Sequence, residues 1–66
     1  MTQLMLNGQA VETSASTVLE LLTDQGLTQG RFAVEVDGGL VPKSRLANTE
    51  LLDGMSIEVV QAVGGG

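Results

Sequence analysis

Gln3-Leu4-Met5-Leu6-Asn7-Gly8-Gln9-Ala10-Val11-Glu12-Thr13 carries the pattern from which the rest of the chain can be placed. Leu4 and Leu6 fall on one side of Met5, the period-2 spacing of a half-buried strand. Asn7-Gly8 is a strong hairpin signal, because both residues tolerate the positive φ angles of a type I′ turn. Gln9 to Thr13 then runs back as a second strand with Val11 inward.

Past a polar break at Ser14-Ala15-Ser16 the periodicity changes. Thr17-Val18-Leu19-Glu20 matches a capping box, a hydroxyl N-cap with Glu three residues later. Val18, Leu21 and Leu22 recur at helical spacing and make one apolar face. Gly26 is placed to end the helix, with Leu27 packing back. Period two resumes at Phe32-Ala33-Val34-Glu35-Val36, and Asp37-Gly38-Gly39 reads as a turn. Leu40-Val41 extends until Pro42 cuts it short. Ser44 to Asn48 fits one helical turn with Leu46 inward, and Asp53-Gly54 is a second tight turn. Ser56 to Ala62 is a final strand, with Ile57 and Val59 on one face and Glu58 and Val60 on the other.

The order strand, strand, helix, strand, short strand, strand gives an α+β fold. A mixed, mostly antiparallel sheet of four or five strands packs on one main helix. Residues 1–63 form a single domain, and Gly64-Gly65-Gly66 form a tail expected to be flexible. The two periodicities predict a core of Leu4, Leu6, Val11, Val18, Leu21, Leu22, Val34, Val36, Ile57 and Val59. A 66-residue domain of this kind has only about 3–5 kcal/mol of net stability.

Composition removes whole classes of function. Cysteine and histidine are both absent. There is thus no thiol nucleophile, no thiolate metal site and no imidazole base. Ser14 and Ser16 have nothing to activate them, and no catalytic side chain, bound cofactor or metal is expected. Eight acidic residues face only Arg31, Lys43 and Arg45, for a net charge of −5. Such a chain is not expected to track nucleic acid phosphates or an anionic membrane, and a basic protein partner suits it better. No segment resembles a targeting signal or a membrane span, so the expected compartment is the cytoplasm.

The glycines at the end invite two readings. A frayed terminus or a linker remnant is the plain one. The functional one is that three residues without a Cβ can thread a narrow cleft and present the Gly66 carboxylate. A phosphate-binding loop is excluded, because no helix N-terminus follows. Met5, Ala33, Val60 and Ala62 share the sheet face away from the helix. With Val63, they are expected to help dock the domain on a partner.

Several stretches resemble the sulfur carrier proteins of thiamine biosynthesis, the ThiS family of ubiquitin-like β-grasp proteins. They are Asn7-Gly8, Thr17-Val18-Leu19-Glu20-Leu21-Leu22, Val41-Pro42-Lys43 and the terminal run Leu51 to Gly66. The family often has Asn, Arg, Trp and Asp where this chain has Asp37, Lys43, Leu46 and Met55. The resemblance implies that Gly66 is the covalently modified residue, with Gly64 and Gly65 giving access. A ThiF-like adenylating enzyme would use ATP to form an acyl-adenylate on the Gly66 carboxylate. A cysteine desulfurase system would supply the sulfur for a thiocarboxylate, and a thiazole synthase would receive it. Carriers of other pathways, such as the small subunit of molybdopterin synthase or a cysteine-forming carrier, have a similar Gly-Gly end. A non-catalytic ubiquitin-like interaction module is a further alternative.

Overall fold

Two turns of the same kind shape the sheet. In the computed structural model, which describes residues 1–62, Asn7 and Gly8 have φ angles of 51° and 80°, and Asp37 and Gly38 have 51° and 86°. Positive φ at both central positions is the type I′ geometry, whose twist matches that of the strands it joins. The first turn links β1 (Thr2–Leu6) to β2 (Gln9–Thr13), and the second links β3 (Phe32–Val36) to β4 (Gly39–Val41). The last strand, β5 (Ser56–Gln61), lies between the two hairpins, giving the order β2-β1-β5-β3-β4. It runs parallel to β1 and antiparallel to β3, so the five-stranded sheet is mixed as expected. Val63, Gly64, Gly65 and Gly66 lie outside the described residues, and with them the expected tail and the domain boundary at residue 63.

The helix α1 (Val18–Asp24) is only seven residues long, too short to persist without caps and packing. It has both kinds of cap. The Glu20 N–H donates to Thr17 Oγ1 at 3.2 Å. The Glu20 carboxylate reaches back to accept the Ser16 N–H at 2.7 Å, one residue earlier than the usual reciprocal partner. At the other end Gly26 has a φ of +73°. The Leu27 N–H donates to Leu22 O, and the Gly26 N–H to Thr23 O, the bond pair of a Schellman motif. Thr17→Ala is expected to cost about 1 kcal/mol. A lowered urea midpoint with an unchanged slope would report it, and an unmoved midpoint would show that the cap does not stabilise the fold.

The core lies between α1 and the inner sheet face. Leu4, Leu6, Val18, Leu21, Leu22, Val34 and Ile57 are buried, as the periodicities predict. Val11, Val36 and Val59 pack against this cluster but are only half-buried, which corrects the expectation for them. Each sits where the sheet gives less cover: Val11 on edge strand β2, Val36 at the end of β3, and Val59 past the end of β1. Leu46, Leu51 and Met55 complete the core. Leu46 is carried by a 3₁₀ helix (Lys43–Asn48), close to the helical turn read from the sequence. Leu51 is drawn in by backbone bonds from Val18 N–H to Thr49 O and from Leu51 N–H to Ser16 O.

Candidate functional site

The strand that leads to residues 63–66 is held unequally on its two sides. β5 pairs with β3 along its length, from Val36↔Ile57 to Phe32↔Gln61, and beyond it the Ala62 N–H donates to Arg31 O at 3.0 Å. On its other side β5 pairs with β1 only at Met5↔Ser56 and Leu6↔Ile57. Where β1 turns away, the Asn7 side chain takes over and its Oδ1 accepts the Val59 N–H at 2.8 Å. Asp37 acts likewise at the start of the strand, its Oδ1 accepting the Ser56 N–H at 2.9 Å. The two turn residues thus act twice, since their side chains also fix the position of β5. Asp53, in the tight turn before β5, holds the start of β1 by accepting the Gln3 N–H at 2.9 Å.

The sheet face away from the helix carries the expected docking residues, and their placement has a structure of its own. Val60 stands opposite Ala33, and Ala62 adjoins Arg31. With Phe32 these residues line a shallow depression beside the end of β5. Val60 is 66% exposed. Met5 belongs to the same face but pairs with Ser56, four residues back along β5, or roughly 13 Å at the usual strand rise. Glu58 lies between them, directly opposite Glu35. Val63, the remaining docking residue, lies outside the described residues.

Strand parity puts Glu58 on the outward face of β5 and Glu35 on the outward face of β3. Their pairing needs the β3–β5 register, which one-strand parity does not supply. Like charges directly opposite on a sheet are destabilising. The apolar docking surface therefore has an acidic centre, with Val60, Ala33 and Ala62 on one side and Met5 on the other. Lys43 adds a cation at the edge near the depression, its Nζ lying 4.2 Å from the centroid of the Phe32 ring. Among the described residues, no group of three or more His, Cys, Asp or Glu side chains is placed to hold a metal ion. No helix there is long and apolar enough to cross a membrane.

One helix held in a five-stranded mixed sheet, with the central strand leading to the glycine-rich end of the sequence, defines a ubiquitin-like β-grasp protein. The sequence matches the ThiS family over residues 4–66. The chain belongs to the ThiS family.

Among solved structures it is similar to the crystal structure of the thiamine biosynthesis protein ThiS from Geobacter metallireducens. The TM-score is 0.81 and the identity 26%, covering 98% of this chain and all of that one. A solution structure of a thiamine biosynthesis protein from the same organism gives a TM-score of 0.76 at 29% identity, covering 98% of this chain and 88% of that one. A thiazole synthase of Paramagnetospirillum magneticum is 38% identical over 65 residues, which cover 97% of this chain and 20% of that protein. The chain thus spans about a fifth of the length of this relative.

Proposed function

We propose that this protein carries sulfur as a thiocarboxylate on Gly66 and delivers it for formation of the thiazole ring of thiamine. The observation that carries the reading is the family match, which extends through Gly64-Gly65-Gly66 on a β-grasp domain. The chemistry suits a chain with no His and no Cys. A carboxylate is a poor electrophile. In a ThiF-like adenylating enzyme, the Gly66 carboxylate attacks the α-phosphorus of ATP and pyrophosphate leaves. The resulting acyl-adenylate has a good leaving group. The terminal sulfur of a persulfide, made by a cysteine desulfurase, attacks the acyl carbon and AMP departs. A thiol then cleaves the remaining S–S bond, releasing the thiocarboxylate and leaving a disulfide. A thiazole synthase accepts the sulfur, and the likeness to a much longer thiazole synthase supports this partner.

The test is intact-protein mass spectrometry after incubation with the adenylating enzyme, ATP, a persulfide donor and a thiol. The chain should gain the mass difference between one sulfur and one oxygen, and the gain should map to the C-terminal fragment. Sulfur on an internal residue, or no gain while an established carrier is loaded in parallel, would refute the reading.

The outer face of the sheet is the proposed docking surface for the adenylating enzyme. The Glu35–Glu58 pair favours a partner that presents a basic side chain there, because a cation relieves their repulsion. Val60→Asp should weaken this association by placing a third carboxylate in the apolar margin. Val60 is exposed, so the loss of stability should stay at about 1 kcal/mol, the cost of Asp on a strand beside the Glu35–Glu58 pair. Titration calorimetry alongside thermal unfolding checks both halves. Unchanged affinity would remove this surface from the interface.

A further inference from the structure

Among the described residues, half of β5 is an edge strand, although the strand lies in the middle of the sheet order. Its bonds to β3 fix which way its backbone groups point. The Asp37 N–H donates to Ser56 O and the Ala62 N–H to Arg31 O. Even-numbered residues of β5 therefore face β3, and odd-numbered ones face the β1 side. On the β1 side the Asn7 N–H satisfies Ile57 O, and Asn7 Oδ1 accepts the Val59 N–H. Pairing with β1 goes no further. The next groups on this side are Val59 C=O, Gln61 N–H and Gln61 C=O, and none has a backbone partner among the described residues. Gly8, at the turn beside this edge, has nothing within 4 Å of where a Cβ would project. An acceptor, a donor and an acceptor at strand spacing match one kind of occupant, an extended backbone.

We propose that the free edge of β5 at Val59–Gln61 is completed by a strand of the thiazole synthase, the partner favoured because a thiazole synthase itself includes a segment similar to this chain, and that it pairs there as the carrier's end enters the enzyme. The inference rests on the sulfur-carrier reading and deepens it. Recognition through the backbone would act on the residues next to the glycines, which offer no side chains to hold. It would also set the direction of entry, because the added strand must lie along β5. The outer-face surface around Val60 projects perpendicular to the sheet, whereas this edge lies in its plane. The two contacts are therefore separable.

Gln61→Pro tests the edge directly. It removes the Gln61 N–H, which faces away from β3, and proline is tolerated on strand edges. Gln61→Ala is the control, since both changes lose the side-chain bond from Gln61 Nε2 to Leu27 O. The probe is a purified thiazole synthase that has no segment of its own similar to this chain. Gln61→Ala should bind like the wild type, and Gln61→Pro roughly tenfold more weakly or worse. Hydrogen exchange on the wild-type chain provides a second measurement that does not depend on how the proline variant folds. The Gln61 amide should exchange fast when free and become protected in the complex. Equal binding of the two variants, or a Gln61 amide that stays unprotected in the complex, would overturn strand addition and leave the carrier reading standing. A wild-type chain that does not bind the synthase would overturn both.

Discussion

A chain lacking Gly66 is expected to take up no sulfur, while the full chain loads to completion under the same conditions. Removing one residue retracts the carboxylate by about 3.3–3.6 Å. Attack on ATP requires the reacting atoms to come within about 3–3.5 Å of each other. The retraction is therefore as large as the approach distance itself. β5 is fixed in register against β3, so the shortfall cannot be recovered by sliding the strand without breaking that pairing. The shortened chain should show the circular dichroism and unfolding midpoint of the full one, because the core cluster and the side chains packed against it, Val59 being the last, all precede Gly66. Adenylation is the sensitive step, and release of pyrophosphate measures it apart from sulfur transfer. Loading of the shortened chain at the full rate would show that Gly66 is not the working group.

Leu21→Ala should leave the protein largely unfolded at room temperature. Leu21 is fully buried on the inward face of α1. Truncating such a leucine costs about 2–5 kcal/mol, because the cavity relaxes only partly. That loss is comparable to the roughly 3–5 kcal/mol available to a domain this small. The helix has seven residues and depends on its packed face, so there is little local reserve. Loss of amide chemical-shift dispersion would report unfolding directly. Leu19→Ala, at a residue 36% exposed on the same helix, is the matched control and should remain folded. If Leu21→Ala unfolds at nearly the wild-type urea concentration, the core is more tolerant than its burial implies.

Most of the fold was legible because its signals are local. Asn7-Gly8, the Thr17 to Glu20 capping box and the alternation from Phe32 to Val36 each act within a few residues, and each appears where expected. Leu51 and Met55 were not read as core. They lie outside regular elements and are buried by distant partners, such as the Leu51 N–H bonding Ser16 O. The over-assignment of Val11, Val36 and Val59 has the same origin. Periodicity shows which side of a strand a residue faces but not how far the neighbouring strand extends to cover it. For the candidate site, parity placed Val60, Ala33 and Met5 on one face. The juxtaposition of Glu35 with Glu58, and the free edge at Gln61, follow from register and strand order. One strand read in isolation has neither.

The position of β5 also governs when the molecule can fold during its synthesis. The contacts that unite the sheet join residues 50 and 52 positions apart, Gln3 with Asp53 and Asn7 with Val59. Until β5 has emerged from the ribosome, the chain holds two hairpins and a short helix with no strand to join them. Isolated hairpins are marginal in water. Closing so long a loop is entropically costly and slows folding relative to a helical bundle of equal length. The growing chain therefore stays open to proteases until its central strand is made. Only Ala62 and Val63 separate that strand from the glycines, so a chain whose last strand has emerged and folded already contains the residue proposed to carry sulfur.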